Sequence, residues 1–178
     1  MTSGPGEPFT TIADASLSLG FARDLPVPLI LGLAEMLEGT LTGFLSARGI
    51  PGVVFEGGQH GAPRSIAASE AAIWVSLRRL GIIRDSGFGE IKRARGLLRT
   101  ATRGLPAVLE MRYRHPVSSE NGFRMLPGFR SFQAVSAGEV LARDRRGAVV
   151  SPADGRLLLP LYQPQGEDGF FLVREVDP

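Results

Sequence analysis

Apolar and polar positions follow two different rhythms along this 178-residue chain. Up to about residue 105, apolar residues gather in short runs and in stripes at helical spacing. Ser65 to Leu80 is the clearest helix: Ile66, Ile73, Trp74, Leu77 and Leu80 share one stripe, Arg78 and Arg79 fall away from it, and Gly81 stands where a helix-terminating glycine belongs. The stripe predicts the buried face, with Trp74 as core and Glu70 as a structural acid near the first turn, where the helix dipole favours it. Thr40 to Arg48 reads as a short helix with Leu41, Phe44 and Leu45 on one face and Gly49 closing it. Leu29-Ile30-Leu31 and Val53-Val54-Phe55 read as strands, the second of them buried. Residues 1–26 read as an irregular opening segment, because Thr2-Ser3-Gly4-Pro5-Gly6-Glu7-Pro8 is dense in turn formers.

Beyond Gly104-Leu105-Pro106 the pattern changes to short strands: Ala107 to Tyr113, Glu139 to Ala142, Ala148 to Val150, Gly155 to Leu159 and Gly169 to Arg174. Gly, Pro, Asp or Ser bounds each of them. The expected organisation is an α/β part over residues 1–104 and a small all-β domain over residues 105–178. Ala137-Gly138-Glu139-Val140-Leu141-Ala142, followed by Val150 to Leu157, is similar to the barrel-sandwich hybrid of biotinyl and lipoyl domains. Those domains carry their cofactor on an exposed lysine. The only lysine here is Lys92, outside the β region, which argues against a swinging-arm carrier.

Composition narrows the classes further. A hydrophobic content of 43% supports a packed core, and the absence of cysteine excludes disulfides and thiolate metal sites. A net charge of +2 supplies no strong field toward nucleic acid or membrane. The longest apolar stretch, Val27 to Ala34, contains Pro28 and Gly32 and is far shorter than the roughly 20 residues of a spanning helix. No basic start with an apolar run marks a secretory signal, so a cytoplasmic location is expected. Between Arg78 and Arg103 eight cations face only Asp85 and Glu90. With no interleaved aromatics beyond Phe88, the run reads as a solvated linker face ahead of a nucleic-acid surface.

Candidate chemistry centres on Glu56, where the strand Val53-Val54-Phe55 opens into Gly57-Gly58-Gln59-His60-Gly61. Ligands of open α/β sheets bind beyond the carboxyl ends of strands, so an acid at such an end suits proton transfer. The alternative is that Glu56 caps the helix that follows.

Several stretches in matching order resemble one family. They are Phe55-Glu56-Gly57-Gly58-Gln59-His60-Gly61, Leu77-Arg78-Arg79-Leu80-Gly81, Tyr113-Arg114-His115-Pro116, Phe123 to Phe129, and Pro160 to Phe171. Together they look like the succinylglutamate desuccinylase/aspartoacylase family. The resemblance implies the second half of a carboxypeptidase-like mixed-sheet domain, followed by the β domain. It also implies zinc-dependent deacylation of an N-acyl amino acid, with Glu56 as the general base that takes a proton from water and returns it to the leaving amine. Tyr162 matches a tyrosine that reaches the substrate; packing beneath a loop is its other reading. His60 is a further candidate for substrate contact, against the alternative of a solvated loop histidine.

The family's zinc ligands come from a His-x-x-Glu turn and an Asp-Leu-His stretch, and neither is present. His60 and His115 are the only histidines, and neither has a carboxylate three residues on. A catalytic zinc requires three placed ligands, so no residue here is assigned to metal. The family's N-terminal arginines are missing too; the nearest basic residue before Glu56 is Arg48. The expectation is therefore a chain that begins just after the last metal ligand and is inactive alone. A complementing N-terminal half or self-association would cover its open sheet edge. A non-catalytic scaffold module that retains the fold is the alternative, and a basic-surface binder ranks third.

Overall fold

The structure, a computed structural model, describes residues 4–37, 39–84 and 88–176. They form two compact units, residues 7–110 with 175–176 and residues 4–6 with 111–174. Asp85 of the basic run, and Thr2 and Ser3 of the opening segment, lie outside the described residues. No described helix is long and apolar enough to cross a membrane.

The first unit contains β1 (Phe9–Ile12), α1 (Ala15–Ala22), β2 (Leu29–Leu31), α2 (Leu41–Ser46), β3 (Val53–Glu56), α3 (Pro63–Arg79), α4 (Phe88–Ala101) and the start of β4 (Val108–Pro116). The opening segment is thus not irregular throughout. Phe9-Thr10-Thr11-Ile12 is buried along its whole length and pairs parallel to β2 and antiparallel to β3. Threonine is tolerated there because its hydroxyls find acceptors: Thr11 Oγ1 donates to the Ile30 carbonyl at 2.9 Å and Thr10 Oγ1 to that of Pro28 at 3.4 Å. α1 begins at Asp14, whose carboxylate accepts the Ser16 and Leu17 N–H groups at 2.8 and 3.4 Å.

α3 forms, but it turns a different face inward from the one its large apolar residues predict. Ser65, Ala68, Ala71, Ala72 and Val75 are buried, while Ile66, Ile73 and Leu80 are more than half exposed. The cause lies in the next segment. The basic run is no linker: its residues 88–101 are α4, which buries Ile91, Ala94 and Leu98 and turns Lys92, Arg93 and Arg99 outward. Alanines on α3 let α4 approach closely, so the small-residue face becomes the core, together with Leu25 and half-buried Trp74, Phe55 and Val53. Gly81, with φ of 71°, ends α3 as expected, and Ile82 N–H bonds the Leu77 carbonyl at 3.0 Å. α2 likewise forms where expected, but Leu41 and Phe44 face solvent and Thr42 is the buried residue.

The second unit holds the rest of β4, β5 (Arg124–Met125), β6 (Ala134–Val135), β7 (Val140–Asp144), β8 (Gly147–Val150), β9 (Gly155–Leu158) and β10 (Asp168–Glu175). All five predicted strands are present; β5 and β6, two residues each, escaped the pattern. The mixed seven-stranded sheet has the order β3-β1-β2-β4-β10-β9-β6, with β4 running from one unit into the next, and β5-β7-β8 form a separate sheet. Leu141, Ala142, Leu157, Phe170 and Leu172 make the core of this unit.

Candidate active site

β3 places Glu56 in the first unit. Val53, Val54, Phe55 and Glu56 pair antiparallel with Ile12, Thr11, Thr10 and Phe9, so Glu56 stands opposite the first residue of β1. β1, β2 and β4 run parallel to one another and opposite to β3. Glu56 therefore ends its own strand at the amino-terminal edge of its three neighbours. The general expectation of a crevice at the carboxyl ends of parallel strands does not describe this position. Nor is β3 fully buried: each of its residues is half-buried, as suits a strand that ends the sheet order.

The turn after Glu56 is fixed by close approach. A Cβ on Gly57 would lie 2.4 Å from Ser69 Oγ and 2.9 Å from the Ser65 carbonyl, so only glycine lets the chain pass against α3 here. Gly58 and Gly61 have φ of 111° and 71°, conformations that L side chains resist. Pro63 occupies the first turn of α3 behind Ala62, which offers no capping side chain. Ser69 Oγ donates to the Ser65 carbonyl at 2.9 Å, and Ser65 Oγ is buried with no partner among the described residues. The rigid support of Glu56 is thus Gly57 packed on two serines of α3. Their i, i+4 spacing just after a glycine run was the signal available in the sequence.

The other candidates are distributed differently. His60 shares the loop with Glu56 and is exposed. Tyr162 belongs to the second unit, where its hydroxyl accepts the Phe129 N–H at 2.9 Å and donates to the Leu126 carbonyl at 2.8 Å, with the Phe129 carbonyl at 3.0 Å. Burial pushes its phenol pKa up, partly offset by that Phe129 N–H. The hydroxyl is committed to the 126–129 loop.

His115, also in the second unit, stacks on Phe170 with ring centroids 4.9 Å apart and planes 5° apart, and its Nδ1 lies 3.1 Å from the Tyr113 hydroxyl. Burial lowers its pKa, with Asp144 pulling the other way. These surroundings make His115 part of a half-buried aromatic cluster with Tyr113, Phe123 and Phe170. Among the described residues no three His, Asp or Glu side chains converge as metal ligands. The described residues thus offer no set that fits a catalytic zinc, which needs three protein donors around one ion.

Backbone comparison decides what the fold is. Over 99% of this chain, the structure matches a succinylglutamate desuccinylase/aspartoacylase from Rhodobacter sphaeroides with a TM-score of 0.68 and 17% identity. The fold is that of the desuccinylase/aspartoacylase structures. The product-bound ectoine utilization protein EutE (DoeB) from Ruegeria pomeroyi matches over 97% of the chain with a TM-score of 0.61 and 15% identity. A succinylglutamate desuccinylase from Silicibacter sp. TM1040 matches over 97% with a TM-score of 0.62 and 16% identity. In each case this chain spans 56% of the matched chain's length. No protein-family model matches the sequence, and no curated protein matches it. At these identities the shared property is the fold.

Proposed function

We propose that this chain carries the proton-transfer side of a deacylase site acting on N-acyl amino acids such as succinylglutamate, with Glu56 as general base. The observation that supports this most is the placement of Glu56 in this fold: a half-buried carboxylate at a strand end, with the backbone beyond it wedged against α3. A carboxylate so held can accept a proton from an attacking water and return it to the departing amine nitrogen. Zinc, which the family resemblance implies, would lower the pKa of that water to about 7 where it is bound. The donor set for it is not among the described residues, so this chain's own part is proton transfer. A complementing polypeptide with His-x-x-Glu and Asp-Leu-His would supply the metal. His60 is the proposed substrate contact beside Glu56; Tyr162 keeps the packing role its bonds to the 126–129 loop give it, and the second unit is read as a barrel-sandwich-type β domain.

The test is hydrolysis of N-succinylglutamate and N-acetylaspartate, with zinc content measured in parallel. The chain alone is expected to bind less than one zinc and to release no amine. Mixed with a polypeptide bearing the two metal motifs it should become active, and Glu56→Gln should abolish that activity. Undiminished turnover by Glu56→Gln would remove Glu56 from the mechanism. A second reading, a non-catalytic module that retains the fold, is favoured by the lack of a metal-ligand cluster among the described residues. Mixtures that form a stable complex, yet cleave no N-acyl amino acid, would establish it.

A further inference from the structure

We propose that the first unit binds a small amphipathic carboxylate, an apolar body carrying one anionic group, in a pocket at the amino-terminal ends of β2 and β4. The inference does not rest on the deacylase reading, and Glu56 is not among the residues that line the pocket. β2 and β4 start side by side, with Leu29 paired to Val108. The segments that lead into them, within residues 22–28 and 102–107, line a cavity of about 340 Å³. Small-molecule sites run from about 300 to 1,000 Å³, so the cavity suits a ligand of modest size. Its place in the sheet sets it apart from an open edge. β2 lies between β1 and β4, and β4 between β2 and β10, so a strand added to this sheet would join at β3 or β6.

The walls define the body of the occupant. Pro26, Pro28 and Pro106 bring no N–H and restrict the backbone around themselves, which favours a preformed pocket. Leu25, Val27, Leu29 and Leu105 give their N–H groups to the carbonyls of Ala22, Leu25, Ala107 and Thr102, at 2.8 to 3.2 Å. The Thr102 hydroxyl donates to the Leu98 carbonyl at 3.0 Å, with that of Pro26 at 3.4 Å, and the Pro28 carbonyl accepts the Thr10 N–H at 2.8 Å. With these polar groups already committed, a polar ligand body would lose its water for little return, whereas an apolar one loses nothing. The charge defines the other end. Arg23, the C-cap of α1, is the only charged residue of the lining; it is exposed, and its guanidinium has no hydrogen bond or ion pair among the described residues. Two nearby arginines are engaged instead: Arg79 with the Asp24 carboxylate at 2.8 Å and Arg95 with the Asp24 carbonyl at 2.9 Å. A free planar guanidinium beside an apolar pocket matches a carboxylate, which it can take through two parallel N–H bonds.

Octanoate is the probe, with octan-1-ol as its uncharged counterpart, and binding to the 178-residue chain is followed by calorimetry and by amide NMR shifts. Octanoate should bind saturably, one per chain, with shifts centred on residues 22–29 and 102–108. Arg23→Gln, a change at an exposed side chain, should weaken octanoate by about tenfold and leave octan-1-ol unchanged. Val27→Trp should fill the cavity and abolish binding of both, whereas Ile73→Asp, on the exposed side of α3, should alter neither. Circular dichroism reports the folding of each variant; should Val27→Trp unfold, the contrast between octanoate and octan-1-ol in Arg23→Gln decides. The proposal is overturned by the absence of saturable octanoate binding, by an affinity indifferent to Arg23→Gln, by an equal loss for octan-1-ol in that variant, or by shifts centred elsewhere on the chain.

Discussion

The helices of the α/β unit and the strands of the β unit use their large apolar residues differently. The β unit buries its large side chains: Leu141, Leu157 and Phe170 have no accessible surface. The α/β unit packs two helices through alanines and leaves Leu41, Phe44, Ile66, Ile73, Leu80 and Ile82 more than half exposed. Burial of a large apolar side chain stabilises a fold by about 1.5–3 kcal/mol, a gain that the six exposed residues of the α/β unit largely forgo. A large apolar residue on α2 or α3 therefore reports burial less faithfully than one in a strand, where Phe9, Ile12, Leu29 and Ile30 are buried as fully as the core of the β unit.

That contrast can be broken experimentally, and the core of the β unit should respond most. Phe170→Ala is expected to cost about 3–5 kcal/mol in denaturant unfolding, because it removes a fully buried ring that also stacks on His115. Ile73→Ala, at a side chain 59% exposed, should change stability by less than about 0.5 kcal/mol. Equal costs for the two would erase the distinction. Gly57→Ala should follow, at about 1–3 kcal/mol, since its methyl would overlap Ser69 Oγ; adding Ser69→Ala should recover part of the loss. Tyr162→Phe should cost about 1–2 kcal/mol by freeing the Phe129 N–H and the Leu126 carbonyl.

The smallest effects concern pH and belong to the β unit. The folded pKa of His115 lies below its unfolded value, so the unfolded chain binds the extra proton more readily. The contribution from His115 is fully present above the unfolded pKa of about 6.5 and declines as pH falls below it. Denaturation midpoints measured from pH 8 down to about pH 5 should show this slope, and His115→Phe should flatten it. Tyr162 has the opposite sign: its folded pKa is raised, so its contribution is present below about pH 10 and is lost as pH rises through that value.

Much of this was legible in the residues, for reasons that differ by element. The β strands announced themselves because Gly, Pro, Asp and Ser bracket each short apolar run, and a half-buried sheet needs little else. The position of Glu56 at a strand end was legible because a strand, an acid and a glycine run are local in sequence. α1 and β1 were hidden behind the turn formers of residues 4–8, whose conformational signal outweighs a four-residue strand. α4 was hidden by its arginines, although Ile91, Ala94 and Leu98 keep helical spacing. The buried face of α3 could not be read from α3 alone, because α4 chose the small side for close approach. The environment of Tyr162 is set by a loop more than thirty residues away in sequence.

The placement of the aromatic chromophores has a practical consequence. The single tryptophan, Trp74, lies half-buried where α3 meets α4, while both tyrosines, Tyr113 and Tyr162, belong to the β unit. Each unit thus carries its own optical label. Excitation at the red edge of indole absorption reports the helix pair, and phenol absorbance reports the β unit. Whether the two melt together or in turn can be watched in one unmodified sample.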